Sequence, residues 1–532
     1  MDPVPLTRRA FLGHTLATGA LALVARPSAG EETMSTFELE EATIAQLQAA
    51  MQAGELTASS LAEQYLTRIE GLDRSGPALN SIIELNPEAL DLARILDQER
   101  RERGPRSPLH GIPLLLKDNI DTGDRMLTTA GSLALANAPA LRDAFVVQKL
   151  RAAGALILGK TNLSEWANIR ASRSTSGWSG RGRLTRNPYA LNRNPSGSSS
   201  GSGVAVSANL CAAALGTETD GSIVSPATAN GIVGLKPTLG LISRSGIIPI
   251  AHSQDTAGPM TRTVADAALL LGVLAGTDPR DLATAACPAL PDYTAALDPA
   301  GLKGARLGVV RNCFGFSEAV DRLMEESLAA LRQLGAELVD PLELANLGKY
   351  DDSELEVLLY EFKADLNTYL AGRPGTPVHS LAELIAFNEA HAEQELRYFG
   401  QDVFIKAQAK GDLTSPDYLL ALEKNHRLSR SKGIDALLSA HHLDALVAPT
   451  GGPAWLTDLV NGDHGVGGCS TPAAVAGYPH ITVPAGFIHG LPVGLSFFGG
   501  AWSEATLLRL AYAFEQGTQA RRPPQFLATV QF

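Results

Sequence analysis

Three serine patterns compete for the role of nucleophile, and their surroundings separate them. Gly197-Ser198-Ser199-Ser200-Gly201 has the G-x-S-x-G spacing of a nucleophile elbow, in which a strand must enter a sharp turn and a helix must leave it. Val204-Ala205-Val206 continues into a small-residue helix, but the preceding stretch from Arg186 to Pro195 carries two prolines and three asparagines. That composition argues against a buried strand. Ser429-Arg430-Ser431-Lys432 has S-x-x-K spacing without an S-D-N or K-T-G partner, and reads as a solvated helix face. The third candidate is Ser222, in Thr217-Glu218-Thr219-Asp220-Gly221-Ser222-Ile223. Gly221 permits a tight turn, and such a turn aims consecutive backbone N–H groups at one point. An acyl-transfer site needs this arrangement to stabilise a developing oxyanion.

Helices and strands must hold such a turn in place. From Thr36 to Asp73 the pattern is helical, with Leu61, Tyr65 and Ile69 at four-residue spacing after Thr57, a candidate cap. Ile112 to Leu116 is a short apolar run, Val146 to Ala153 reads as a helix, and Ala155 to Leu158 as a buried strand. The stretch from about Asp278 to Ala440 is more charged and helix-rich, with strand candidates at Arg306–Val310 and Ala336–Val339. Further strands are expected at Leu443–Ala448, His480–Val483 and Val493–Phe498, then a helix from Ser503 to Glu515. Strand, helix, strand order points to α/β layering. No internal repeat or long linker interrupts it, so one large domain is expected, with 278–440 an elaboration of it.

Composition narrows the function. With 532 residues, 45% hydrophobic, the chain can bury a large core. A net charge of −12 gives no basic footprint for nucleic acid. Cys211, Cys287, Cys313 and Cys469 are widely spaced and contain no CxxC pair, which gives a zinc site little support. Among 11 histidines none has HExxH spacing. Thr7-Arg8-Arg9-Ala10-Phe11-Leu12, then an apolar stretch to Val24 and Arg26-Pro27-Ser28-Ala29-Gly30, has the layout of a twin-arginine export signal. It predicts an exported, periplasmic or secreted protein without stable membrane insertion, its mature part beginning near Glu31.

His110-Gly111-Ile112-Pro113-Leu114-Leu115-Leu116-Lys117-Asp118-Asn119, Gly159 to Trp166, the serine loop, Gly231 to Thr238 and Asp255-Thr256-Ala257-Gly258-Pro259 occur in an order that resembles the amidase signature family, most closely its peptide amidase branch. Ala473–Pro484 and Gly490–Gly494 extend the resemblance over nearly all of the chain after residue 30. It implies a central mixed, twisted β-sheet covered by helices on both faces. It also implies a catalytic lysine, a bridging serine beside a cis peptide and a nucleophilic serine, which fall on Lys117, Ser198 and Ser222. Backbone groups of Thr219, Asp220, Gly221 and Ser222 are expected around the oxyanion, and that of Ala167 near substrate.

In this scheme Lys117 must be neutral to accept a proton through Ser198, so burial has to lower its pKa. Trp166 and Trp178 could line the site or pack in the core. The chain departs from the commoner pattern in having Ser196-Gly197-Ser198-Ser199-Ser200-Gly201-Ser202 for the serine loop and Asp220-Gly221 for a glycine pair. The change at Asp220 suggests backbone angles that Asp tolerates better than most residues.

The reading that follows is hydrolysis of a peptide C-terminal carboxamide to a carboxylate and ammonia by a monomer or homodimer without cofactor or metal. Arylamides, amino-acid amides and esters are alternative substrates. Within the family, the amidase-type component of glutamyl-tRNA amidotransferase is the relative to distinguish. The alternative from another class is a non-catalytic periplasmic binding protein with a Ser/Gly-rich ligand loop.

Overall fold

Thr57 stands at the N-cap of the helix Ala58–Arg68. Its hydroxyl accepts from the Ser60 N–H and Ser60 reaches back to the Thr57 N–H, so side chains satisfy two donors at the helix start. Leu61, Tyr65 and Ile69 are buried below it, as the four-residue spacing requires. The computed structural model describes residues 38–290 and 292–532. The expected export segment, residues 1–30, lies outside the described residues.

In chain order the first strands are β1 (Ile82–Leu85), β2 (Pro113–Lys117) and β3 (Leu156–Thr161), followed by a separate hairpin of β4 (Trp178–Ser179) and β5 (Arg183–Leu184). Next come β6 (Ala213–Glu218), β7 (Val233–Lys236), β8 (Thr256–Thr261), β9 (Arg306–Val310) and β10 (Glu337–Leu342). The last are β11 (Ala445–Pro449), β12 (His480–Ile488) and β13 (Leu491–Phe498). Eleven of these form one sheet in the order β1-β3-β2-β6-β8-β7-β12-β13-β11-β9-β10. It is mixed: β2 runs parallel to β3 and β6, whereas β6 and β8 are antiparallel. The parallel strands β2, β3 and β6 are buried at every residue, as strands covered on both faces must be. Helices flank the sheet, among them Ser200–Ser207, Val264–Leu274, Glu318–Gln333 and Glu504–Thr518.

Glu38–Phe532 form one compact unit. The segment expected as an elaboration contributes β9 and β10 to the sheet edge, then the helices Asp351–Ala371, Leu381–Ala390, Asp402–Gln408 and Pro416–Ser429. Leu359, Phe362, Leu366 and Phe404 from these helices share a core cluster with Ala130, Trp166 and Ile248, which docks the helical part onto loops at the strand ends. Trp166 meets Phe404 edge-on at 6.0 Å and Trp178 meets Tyr398 at 5.4 Å. Both tryptophans are therefore core residues.

One surface assignment is corrected. Ser429 is buried and its hydroxyl donates to the Asn425 carbonyl at 2.7 Å, while Lys432 stays exposed. The helix ends there in a wide turn over Arg430–Ile434, so the two residues of the S-x-x-K pattern do not share one solvated face.

Candidate active site

Because β2 and β6 are parallel, with Leu116 opposite Leu215, both deliver their C-terminal ends to the same edge of the sheet. Ligands of open α/β sheets collect at such ends. Lys117 is the last residue of β2 and has no solvent exposure. Its Nζ donates to Ser198 Oγ at 2.7 Å, to Thr217 Oγ1 at 2.9 Å and to the Thr217 carbonyl at 3.1 Å. Burial pushes the Lys117 ammonium down to about 7, against the opposing pull of the Glu218 and Asp255 carboxylates. The Asn119 amide donates to the same Thr217 hydroxyl at 2.9 Å.

The serine loop lies between these strands. The Gly197–Ser198 peptide is cis, and a Cβ on Gly197 would fall 2.2 Å from Ser164 Oγ, so no side chain fits there. Ser199, the centre of the G-x-S-x-G pattern, is buried and exchanges hydrogen bonds with the Thr217 carbonyl and N–H at 3.1 and 3.2 Å. Its hydroxyl is tied to β6, which removes it as a nucleophile.

Ser222 differs: its hydroxyl has no partner among the described residues, and the residue lines a cavity of about 340 Å3 together with Ser198, Thr219 and Ala167. Gly221 holds φ +77° just before it. Glu218 Oε2 accepts from the N–H groups of Ile223 and Val224 at 2.7 and 3.0 Å, fixing the start of the helix Val224–Ala229 that leaves the turn. The Thr219 hydroxyl donates to Asp255 Oδ1 at 2.6 Å, and Gln254 donates to the Thr219 carbonyl at 3.3 Å. Side chains thus pin the turn, and the N–H groups of Asp220, Gly221 and Ser222 make no hydrogen bond among the described residues. Burial raises Asp255 to about 6.

Two expectations change in detail. Asp220 does not adopt positive φ; its carboxylate accepts from Thr471 Oγ1 at 2.6 Å, so this residue serves as a side-chain anchor rather than for unusual backbone freedom. No hydrogen bond joins the Ser198 and Ser222 hydroxyls among the described residues. Ser198 Oγ is engaged by Lys117, and the link between the two loops is the Ser199 N–H donating to the Ser222 carbonyl at 3.2 Å. Ala167 reaches the cavity through a strained stretch: Trp166, Ala167 and Asn168 have φ of 50°, 52° and 74°. Consecutive left-handed non-glycine residues persist only where surroundings hold them, here the buried Trp166 side chain and its N–H bond to the Ala130 carbonyl at 2.9 Å.

Asn119, Thr217, Glu218 and Asp255 lie inside the sequence motifs but carry no expected role there; their polarity beside apolar strands is the signal that marks them. The outer wall has no such signal. Asp365, Thr368 and Tyr369 of the helix Asp351–Ala371 line the cavity with His252 and belong to none of the motifs. His252, Glu361 and Asp365 place ligand-type atoms within 4.8 Å of one another. Each ring nitrogen already faces a carboxyl group, Nδ1 to Asp365 at 2.8 Å and Nε2 to Glu361 at 3.3 Å, so the imidazole is engaged on both sides; burial raises the pKa of the Glu361 carboxyl. The bond to Asp365, helped by Glu361, raises the His252 pKa.

Comparison with known proteins gives a consistent picture. A native peptide amidase structure from Stenotrophomonas maltophilia superposes with TM-score 0.87 at 54% identity, covering 92% of this chain and 99% of that one. A probable amidase of Arabidopsis thaliana is 45% identical over 505 residues, 93% of each chain. A glutamyl-tRNA(Gln) amidotransferase component from Chloroflexus aggregans is 36% identical over 519 residues, 91% of this chain and 99% of its own. The Amidase family profile matches residues 60–508, a span that takes in the lysine strand, the serine loop and the Gly221-Ser222 turn, and the chain belongs to the amidase signature family.

Proposed function

We propose that this chain hydrolyses the C-terminal carboxamide of peptides, using Ser222 as nucleophile, Ser198 as proton bridge and Lys117 as base. The observation that carries the reading is the buried Lys117 amine, lowered to about 7 and donating to Ser198 Oγ at 2.7 Å. An amine with that pKa is substantially neutral at physiological pH and able to take a proton.

In the forward step Ser222 Oγ attacks the amide carbon while its proton passes to Ser198, whose own proton passes to Lys117. The hydrogen bond between the two hydroxyls forms as substrate enters, since catalytic bonds often tighten only in the complex. The carbonyl oxygen becomes an oxyanion facing the unpartnered N–H groups of the Asp220–Ser222 turn, where one such donor contributes about 3–4 kcal/mol. Protons return through Ser198 to the amide nitrogen, the C–N bond breaks and ammonia leaves. Water then attacks the Ser222 ester by the same route, releasing the carboxylate and restoring the serine.

Peptide specificity is supported by the 54% likeness to the Stenotrophomonas peptide amidase. The deciding experiment is ammonia release from amidated peptides, free amino-acid amides and glutamine side-chain amides. Preferential release from amidated peptides is expected; release from glutamine side chains alone would overturn the substrate assignment. We further propose that residues 1–30 direct export of a catalytic part spanning 31–532, tested by whether replacing Arg8 and Arg9 with Lys keeps the protein in the cytoplasm.

A further inference from the structure

The charges at the cavity mouth are unevenly committed. Arg244 forks onto Asp281 with Nε–Oδ2 at 2.9 Å and Nη2–Oδ1 at 2.5 Å, and gives its remaining nitrogen to the His252 carbonyl. Arg280 forks onto Asp278 at 3.1 and 3.3 Å. His252 is held between Glu361 and Asp365. Every cationic group lining the mouth is therefore already paired.

Asp365 is not equally spent. Its two contacts, from the His252 N–H at 3.2 Å and Nδ1 at 2.8 Å, both fall on Oδ2, and Oδ1 has no partner among the described residues. The residue lines the cavity with 23% of its side chain exposed. Of the two carboxyl groups around His252, Glu361 is fully buried and absent from the cavity lining, whereas Asp365 turns its open Oδ1 side to the cavity, beside a wall made apolar by Ile247, Ile248 and Ile250. Such a site attracts a positive group and repels a negative one, most strongly where water is partly excluded.

We propose that Asp365 is a specificity-determining residue, favouring amides that carry an ammonium or guanidinium near the scissile carboxamide and disfavouring acidic ones. The proposal rests on the carboxamide reading above. The cation could be the free N-terminus of a short peptide or a Lys or Arg side chain; the chemistry Asp365 reads is the same.

The test compares kcat/KM for one dipeptide amide with a free, an N-acetylated and an N-succinylated terminus, and for N-acetyl-lysyl against N-acetyl-norleucyl analogues. The wild-type protein should prefer the cationic over the anionic form by about tenfold, mainly through KM, with the preference shrinking at 0.5 M salt. Asp365→Asn keeps an oxygen for His252 and should bring the ratio to within about twofold; Asp365→Lys should invert it. A flat wild-type ratio, or an Asp365→Asn protein with the wild-type ratio, overturns the proposal while hydrolysis of the neutral amide leaves the carboxamide reading standing. Hydrolysis of none of the amides overturns that reading and this proposal with it. The salt dependence of the wild-type ratio gives a readout that does not require the variants to fold.

Discussion

The inner and outer walls of the cavity are built on opposite plans. The inner wall comes from strand ends and the turns that follow them. Lys117 closes β2, the Ser222 turn follows β6, and the serine loop is locked between them by backbone bonds and by a glycine with no room for a Cβ. Its polar groups are buried, and carboxylates shape it: Glu218, Asp220 and Asp255 each accept from a neighbouring donor. The outer wall comes from the helix Asp351–Ala371 and the loop carrying His252, where His252 and Asp365 are partly exposed, Glu361 is buried, and the groups pair side chain to side chain. Burial lowers the Lys117 amine of the inner wall towards neutrality, whereas the outer wall raises the His252 pKa through Asp365 and offers a charge rather than a base beside Ser222. The difference separates chemistry from selection.

If that division holds, inner-wall changes strike kcat and outer-wall changes strike KM. The largest effect is expected for Ser222→Ala, a loss in kcat of about four orders of magnitude or more in an ammonia-release assay. Lys117→Ala should cost about a thousandfold at pH 7. In the unaltered protein kcat/KM should rise with pH through about 7 and then level, because raising pH deprotonates the amine proposed as base; a profile flat from pH 5.5 to 8.5 would remove Lys117 from that role.

Gly221→Ala comes next. A Cβ there would meet Ser470 Oγ at 3.1 Å and would need φ +77°, so we expect a loss of about 1 kcal/mol in stability by denaturant titration and at least a tenfold fall in kcat as the N–H groups shift. The smallest effect belongs to the outer wall. Tyr369→Phe removes a phenol that donates to Asp121 Oδ1 at 2.9 Å and should change KM a few-fold with kcat within twofold. A kcat effect as large as that of Gly221→Ala would break the division between the walls.

The same division explains what could be read from the sequence. Lys117, Ser198, Ser222 and the Gly221 turn sit in short motifs because each depends on backbone geometry set by its immediate neighbours. Strands such as β3, β11 and β13 were legible as apolar runs, and Thr57 as a cap, for the same local reason. The mouth was not legible. Asp365 meets His252 across 113 residues and Tyr369 meets Asp121 across 248, and nothing local in a charged, amphipathic helix tells which of its carboxylates will face a cavity. Nor does spacing reveal that Ser199 spends its hydroxyl on Thr217; the prolines and asparagines of 186–195 argue against an elbow, and the packed sheet adds what holds Ser199 instead.

The central claim is that Ser222 alone among these serines is the nucleophile. Its direct measurement is covalent labelling with a serine-directed phosphonate carrying a peptide moiety, followed by peptide mapping in a mass spectrometer. A single adduct on Ser222, lost in Ser222→Ala, is the predicted result. An adduct on Ser198 or Ser199, or no adduct at concentrations that abolish ammonia release, would contradict it.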